Sequence, residues 1–224
     1  MPMTEWLRGD FHMHTHHSFD CLVSPEALVR RAQAVGLTCI AVTDHNQLAG
    51  ALKVQTLAPF RVIPGEEVMS TAGEITGLFL QERVEPGMGP VETAQAIKAQ
   101  GALVSIPHPF TGYGRSALDK ATAEAVLPYV DLMEAFNART MKGTDNAAAA
   151  DFAREHNLPV TAVSDAHTTG ELGRTYTEFP DFDGTPAGFL AALAEARLVC
   201  RPAGATVHLW STLNKLVRRF KRLP

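Results

Sequence analysis

The 224-residue chain contains few cysteines and no long hydrophobic run. Cys21, Cys39 and Cys200 lie far apart and form no C-x-x-C pair, which argues against a disulfide framework and a thiolate zinc site. No apolar run approaches the roughly 20 residues that span a bilayer. The first ten residues, MPMTEWLRGD, lack the apolar core of a signal peptide. We therefore expect a cytoplasmic protein with reduced thiols.

The chain also lacks the basic charge and the aromatic side chains that are typical of nucleic-acid-binding surfaces. Its formal net charge is -4, and it contains only two Trp and three Tyr residues. A nuclease would be expected to show a basic groove lined by aromatic residues. A Gly-rich phosphate loop of the Walker or Rossmann type is absent as well. The sequence therefore carries no strong nucleic-acid signal.

Histidine, in contrast, is concentrated near the N-terminus. The segment GDFHMHTHHSFD, residues 9–20, holds four His and two Asp. Alternate residues of a strand share a face, so Asp10, His12 and His14 point to the same side, and both imidazoles can reach one metal ion. We expect Asp10 to accept a hydrogen bond from a ligand imidazole and to fix its tautomer.

Short apolar runs alternate with helical patterns along the rest of the chain. Repeated strand–helix units predict a parallel sheet with right-handed crossovers. Strands are predicted at 39–45, 60–68, 102–109, 130–137 and 158–167, with a hairpin return at 73–80 and a short strand at 174–179. Helices are predicted at 24–36, 90–101 and 144–156.

Polar residues stand at the ends of several predicted strands, where catalytic groups converge in a β/α barrel. His and carboxylate ligands without Cys suit catalytic zinc, manganese or iron better than a closed structural zinc site. Because adjacent strand residues face opposite sides, only one of Glu66 and Glu67 can point inward. The strand-end residues are Asp44, His45, Glu66, Glu67, His108, Glu134, Asp165 and His167.

Five ordered motifs, DFHMHTHHSFD, VTDHN, IPGEE, IPHPF and VSDAHT, resemble those of the PHP family, named for polymerase and histidinol phosphatase. The resemblance spans residues 10–168 and is strongest to the small stand-alone phosphoesterases of that family. It implies an α/β fold, a distorted seven-stranded β/α barrel with two or three divalent ions (Mn, Zn or Fe) at its strand ends. We expect one domain over residues 1–206, followed by a C-terminal helix.

The resemblance also implies a ligand set for the first ion. His12 and His14 would hold it together with Asp165. Glu67, rather than Glu66, would bridge it to a second ion. A metal-bound hydroxide held at Glu67 and Asp165 would then attack phosphorus.

Two further ligand groups follow from the same resemblance. His108 and Glu134 would complete the second ion. Asp20, His45 and His167 would hold a third.

Several other polar residues are candidates for substrate contact. His16 and His17 follow the ligand strand on a loop and are candidates for contacting substrate or donating a proton, and His17 is included among the candidate catalytic residues. A phosphate group usually needs a fixed cation besides the metals. Three arginines follow strand-end motifs: Arg115, Arg139 and Arg174. Of these, Arg174 is the one that we expect to assist catalysis.

The combined pattern predicts a metal-dependent phosphoesterase acting on a small phosphomonoester or nucleotide. The enzymatic alternatives are a nuclease and a histidinol-phosphate phosphatase. A metal-binding regulatory module without turnover is the non-enzymatic alternative. Metal-dependent amide hydrolysis on a similar barrel would commonly use a carboxylated Lys, and no Lys lies at a strand end.

The C-terminal segment 207–224 predicts a basic amphipathic helix. Residues 215–224 hold five Lys and Arg and no acid, whereas the preceding residues carry about -9. We expect the apolar stripe to dock on the acidic barrel; the alternative is that the helix contacts an anionic surface. The stripe consists of Leu209, Trp210, Leu213, Leu216, Val217 and Phe220, and the cations beside it are Lys215, Arg218, Arg219 and Arg222.

Overall fold

The computed structural model describes residues 6–111, 116–204 and 207–221, with side chains at all of these except 208–210 and 218–221. The described strands are β1 (Trp6–Asp10), β2 (Cys39–Val42), β3 (Arg61–Ser70), β4 (Gly73–Leu78), β5 (Leu103–Ile106), β6 (Leu132–Asn137), β7 (Val160–Val163), β8 (Tyr176–Pro180) and β9 (Arg197–Val199). The described α-helices are α1 (Pro25–Ala34), α2 (Ala49–Leu57), α3 (Pro90–Lys98), α4 (Lys120–Val126), α5 (Gly143–Glu155), α6 (Pro186–Leu193) and α7 (Val207–Lys221).

The strands form one sheet in the order β7-β6-β5-β4-β3-β2-β1-β8-β9. Strands β1, β2 and β3 are parallel, as are β5, β6 and β7, while β4 is antiparallel to both of its neighbours. The first seven strands nearly close into a barrel through a bridge between Met13 and Ala166, where the His14 amide donates to the Ala166 carbonyl at 2.9 Å.

The expected barrel is therefore confirmed in kind, but the sheet has nine strands rather than seven. The additional strands β8 and β9 form an antiparallel pair. Strand β8 pairs along β1, and its Thr177 hydroxyl accepts a hydrogen bond from the Ala162 amide of β7 at 2.9 Å. It thus fills the space where β1 and β7 do not pair.

Several of the predicted strands are shorter in the structure. The strand predicted at 158–167 ends at Val163, and the one predicted at 102–109 ends at Ile106. His108 (φ 27°) and Asp165 (φ 53°) follow in left-handed backbone conformations, which are costly for these residues and cluster at functional sites. The chain turns at these two residues, so His108 and Asp165 lie in loops after the strands and not within them. Helices α2, α4 and α6 were not predicted.

Side chains alternate between two apolar layers along each strand. In β2, Ile40 and Val42 pack among the residues beneath the outer helices, whereas Cys39 and Ala41 face the barrel interior. Phe11, Phe179 and Phe189 fill the lower part of the interior together with α6. Because this end is packed with apolar side chains, the described cavity of the barrel interior lies at the other end, where the parallel strands have their carboxyl ends.

Helix α7 docks at those strand ends through its polar side. Arg139, which is almost fully buried, donates to the Val207 carbonyl at 3.2 Å and to the Ser211 hydroxyl at 2.6 Å. Further along the helix, the buried Asn214 amide donates to the Asp20 carbonyl at 3.1 Å. The described polar side chains of α7 therefore contribute to this contact through hydrogen bonds.

The expectation that the apolar stripe of this helix docks on the barrel is wrong for the described side chains. Leu213 and Leu216 are 40% and 45% exposed, and Val217 is half-buried. The side chains of the remaining stripe members and of His208, Arg218 and Arg219, together with the whole of Arg222, lie outside the described part of the chain. Within the described part, none of the helices is both long and apolar enough to cross a membrane.

Arg139 is expected to contribute strongly to stability, because it joins α7 to the barrel and pairs with a buried carboxylate. Its guanidinium also lies 3.5 Å from Glu171, and both side chains are buried. Arg139→Ala leaves that carboxylate without its cation, so the free energy of unfolding should fall by about 3 kcal/mol or more. Urea denaturation of the metal-free protein measures this. Arg154→Ala, which removes the exposed Arg154–Asp151 pair, should cost less than about 1 kcal/mol; equal losses would contradict the assignment.

Candidate metal centre

The predicted metal ligands converge at one end of the barrel. His12, His14 and Glu134 are buried at the base of the site. Above them lies a cavity of about 570 Å³. The predicted ligands that line this cavity are Asp20, His45, Glu67, His108, Asp165 and His167.

The first cluster contains one atom from each of four predicted ligands. His12 Nε2 lies 3.1 Å from His14 Nε2, 3.3 Å from Glu67 Oε2 and 3.6 Å from Asp165 Oδ1. His14 Nε2 lies 3.6 Å from Glu67 Oε2 and 3.4 Å from Asp165 Oδ1. Four ligands about 2.0–2.1 Å from a tetrahedral ion are separated by about 3.4 Å. The atoms of His12, His14 and Asp165 therefore have the spacing of ligands on a single divalent ion, and Glu67 Oε2 lies within reach of both imidazoles.

The second cluster uses both oxygens of Glu67. Its Oε1 lies 2.8 Å from His108 Nε2, and its Oε2 lies 3.0 Å from His45 Nδ1. Glu74 joins them, with Oε1 3.2 Å from His45 Nδ1 and Oε2 3.6 Å from His108 Nε2. Glu67 therefore stands between two groups of potential ligands.

Glu74 was missed in the sequence analysis, although a pattern in the sequence could have revealed it. Strand β4 pairs with β3 so that Glu67 faces Thr76 and Met69 faces Glu74. Residues directly opposite on neighbouring strands share a face of the sheet. The other residues of β4, GEITGL, are uncharged, so a single Glu in this strand is a visible signal. The hairpin register places it on the same face as Glu67.

A third group consists of three imidazoles and a carboxylate. His14, His45 and His167 each offer a ring nitrogen within 4.8 Å of the others. Asp20 lies 3.5 Å from His45 Nε2 and 3.3 Å from His167 Nε2. The structure thus brings together the three residues that the resemblance assigns to a third ion.

Glu134 occupies a different place from the one the resemblance implies. Its Oε1 lies 2.7 Å from His12 Nδ1, while Oε2 accepts from the His108 amide at 2.8 Å and from the Asn137 side chain at 2.9 Å. Both oxygens are therefore engaged in hydrogen bonds, and Oε1 orients the His12 ring through the nitrogen that points away from the cluster. Glu134 therefore has the role that was expected of Asp10, which instead accepts from the Ser164 amide at 3.0 Å.

His14 is oriented by a chain of hydrogen bonds. Its Nδ1 lies 2.9 Å from the Ser18 hydroxyl, which donates to Asp44 at 2.8 Å. Asp44 also accepts from the amide and hydroxyl of Thr15, both at 2.6 Å. Gly50 at the start of α2 packs so closely that a Cβ there would collide with the Asp44 carboxylate. These contacts fix the face that His14 presents to the cluster.

Mutual charge compensation shifts the pKa values in the site. Burial lowers the pKa of His12, but the carboxylates of Glu67 and Asp165 outweigh burial and hold it well above its ordinary value. Burial also lowers the pKa of His45 and His108, but the surrounding carboxylates, with Glu67 foremost, together outweigh it. The pKa of His45 is therefore well above its ordinary value, and that of His108 is raised to about 9.

Burial together with the imidazoles of His167 and His45 lowers the pKa of His14 to about 3. Burial raises the pKa of Glu67, but the charges of His12 and His45 outweigh it and hold that pKa well below its ordinary value. The cluster therefore contains cationic imidazoles around anionic carboxylates before any metal binds.

The other candidates for substrate contact lie elsewhere or are engaged. His17 Nδ1 lies 3.0 Å from the Thr15 hydroxyl, and His17 does not line the cavity. Arg174 lines a separate, smaller cavity, so the structure does not bring it to the site. The Arg139 guanidinium contacts the Asp165 carbonyl at 3.3 Å as well as α7 and Glu171. Arg115 lies outside the described residues.

Comparison with known proteins places the chain in a family. The PHP domain matches residues 10–101, and the PHP-associated domain matches residues 143–198. Two uncharacterized proteins of Methanocaldococcus jannaschii are similar to it. MJ0417 is 31% identical over 180 residues, which cover 79% of this chain and 72% of the relative. MJ1587 is 33% identical over 157 residues, which cover 64% and 89%. The chain belongs to the PHP family.

A solved structure shares the fold. It is a two-domain protein from Bacteroides vulgatus containing a predicted PHP-like metal-dependent phosphoesterase, with a TM-score of 0.72 and 21% identity. The alignment covers 88% of this chain and 66% of that chain. At this identity the likeness establishes the barrel architecture.

Glu67→Gln is expected to reduce metal content more than Asp20→Asn. Glu67 lies within 3.6 Å of four imidazoles in two clusters, whereas Asp20 approaches two imidazoles in one. Elemental analysis of the purified variants measures the loss. Glu66→Gln is the matched control, because Glu66 faces away and accepts from the Val84 amide at 2.9 Å. A Glu66 variant as poor in metal as the Glu67 variant would contradict the geometry.

Metal affinity is expected to rise with pH between about 6 and 9, because a bound ion must replace protons on the imidazoles. The raised pKa values of His12, His45 and His108 keep these groups protonated in the metal-free protein at neutral pH. Binding should therefore release protons. Isothermal titration calorimetry in two buffers of different ionisation enthalpy detects the release. Identical heats in the two buffers would show that the imidazoles are already neutral.

Proposed function

We propose that this chain is a metal-dependent phosphoesterase acting on a small phosphomonoester or nucleotide. The observation that supports the proposal most strongly is the position of Glu67, whose two carboxylate oxygens face two groups of potential ligands. Paired ions that share a ligand are suited to in-line displacement at phosphorus. The name of the Bacteroides vulgatus protein, which shares the fold, supports the same reaction class.

The ligand set fits two or three divalent ions such as manganese, zinc or iron, because it offers imidazole nitrogens and carboxylate oxygens without thiolates. Such ions, when bound, would act as Lewis acids on the phosphoryl group and make a water molecule acidic enough to attack near neutral pH. A separate side-chain base is therefore not required.

The protein's own residues would hold and orient these ions. Glu134 fixes the tautomer of His12, and the Ser18–Asp44 pair fixes His14. Asp165 faces both imidazoles of the first cluster and is held by its left-handed backbone and by Asn137 at 3.3 Å. Preorganised ligands of this kind reduce the rearrangement that metal binding would otherwise require.

The size of the cavity favours a small substrate. Its volume of about 570 Å³ lies within the range of typical small-molecule pockets, about 300–1,000 Å³. Phe19 is 53% exposed at its rim and offers an apolar surface to the organic part of a substrate. The enzymatic alternatives are a nuclease and a histidinol-phosphate phosphatase. The non-enzymatic alternative is a metal-binding regulatory module.

Activity should depend on metal. Chelation is expected to abolish phosphoester hydrolysis, and Mn²⁺ or Zn²⁺ should restore it, because no other group in the cavity is a comparable Lewis acid. A screen of nucleotides, sugar phosphates, histidinol phosphate and short DNA, with released phosphate or cleaved DNA as the readout, separates the alternatives. Cleavage of DNA alone would favour the nuclease, and full metal loading without turnover of any substrate would favour the regulatory module.

A further inference from the structure

The lining of the cavity above the metal clusters includes several groups that would repel a phosphate. Four of its described lining residues are carboxylates: Asp20, Glu67, Glu74 and Asp165. Among the described residues, its lining cations other than imidazoles are Arg139 and Lys215. Divalent ions would offset the carboxylates, and among the described residues these two side chains are then the candidates for a further preference for anionic substrates.

The guanidinium of Arg139 is already engaged in contacts within the protein. Its side chain is only 6% exposed, and it contacts Glu171, the Asp165 carbonyl and two groups of α7. A guanidinium held in this way cannot turn toward a ligand without breaking those contacts. It acts instead as a positioning residue that joins α7 to the loop carrying Asp165.

Lys215 is placed differently. It lies on α7, one residue after Asn214, whose side chain anchors the helix to the Asp20 carbonyl. Its Nζ is 3.8 Å from Asp20 Oδ2 and 5.0 Å from the centre of the Phe19 ring, and its side chain is 51% exposed. Phe19 in turn stacks on His45, with ring centres 4.9 Å apart and planes at 26°. The ammonium group is thus held at the cavity mouth beside the third cluster.

We propose that Lys215 binds the phosphoryl group of the substrate, and that α7 thereby makes the site select phosphomonoesters over phosphodiesters. This inference rests on the proposed function. At neutral pH a phosphomonoester carries nearly two negative charges, because its second pKa is about 6. A phosphodiester carries one. An additional fixed cation therefore stabilises the bound monoester more than the bound diester.

The binding test uses inorganic phosphate and the manganese-loaded chain of residues 1–224, with isothermal titration calorimetry as the readout. Lys215→Ala should weaken phosphate binding about tenfold, the loss expected for one charge-assisted hydrogen bond. Lys215→Arg should retain most of the affinity. Phe19→Leu should weaken binding in the same direction but less, because it removes the ring beneath the ammonium.

Two control variants keep the comparison specific. Lys53→Ala removes an exposed cation of α2 that does not line the cavity. Leu216→Ala changes an exposed residue on the same helix. Both should bind phosphate like the parent protein. Metal content is measured for every variant, and a loss of metal in Lys215→Ala would overturn the proposal, because Lys215 would then act through Asp20 rather than on phosphate.

The selectivity test compares p-nitrophenyl phosphate with bis-p-nitrophenyl phosphate. The ratio of their kcat/KM values should fall about tenfold in Lys215→Ala, mainly through a higher KM for the monoester. Unchanged phosphate affinity, or equal losses on both esters, would overturn the role of Lys215 and leave the phosphoesterase proposal standing. A third outcome is that the parent protein binds phosphate through Lys215 but hydrolyses neither ester. That result would support the phosphate site at Lys215 and count against the proposed phosphoesterase function.

Discussion

The charge of Glu67 is the constraint on which the rest of the site depends. Its carboxylate is 1% exposed and lies among four imidazoles, and a buried anion without partners would cost several kcal/mol. The imidazoles beside it must therefore be oriented, and Glu134 does this for His12 while the Ser18–Asp44 pair does it for His14. These groups require a rigid frame in turn, and the strand ends of the barrel provide it.

Much of this arrangement could be predicted from the sequence, because it follows from local rules. The alternation of His12 and His14, and the polar residues after each apolar run, indicate one end of a parallel sheet. The family resemblance then selected Glu67 over Glu66, and the structure turns Glu66 toward Val84. What local rules could not give was the register of the β3–β4 hairpin, which brings Glu74 into the site, or the bond that Asp10 makes across the barrel to Ser164.

The C-terminal helix shows where a local rule fails for a physical reason. An amphipathic helix usually buries its apolar stripe, and that rule predicted that Leu213 and Leu216 would face the barrel. The surface that α7 covers is, however, the polar end of the sheet, where Arg139 and Asp20 present hydrogen-bonding groups. A helix that covers such a surface must turn its own polar residues inward. The chemistry of the receiving surface, rather than that of the helix, decides which face is buried.

The closure of the barrel has a consequence for the order in which the chain folds. Ser164 reaches Asp10 across 154 positions of sequence, and Asn214 reaches Asp20 across 194. Contacts between such distant segments form slowly, because closing the long intervening loop costs conformational entropy before the contact stabilises the chain. The first cluster draws its atoms from both His12 and Asp165, so it is complete only after the segments that follow β1 and β7 have come together at the Met13–Ala166 bridge. We therefore expect metal ions to bind after the barrel has formed and to stabilise it, rather than to nucleate its folding.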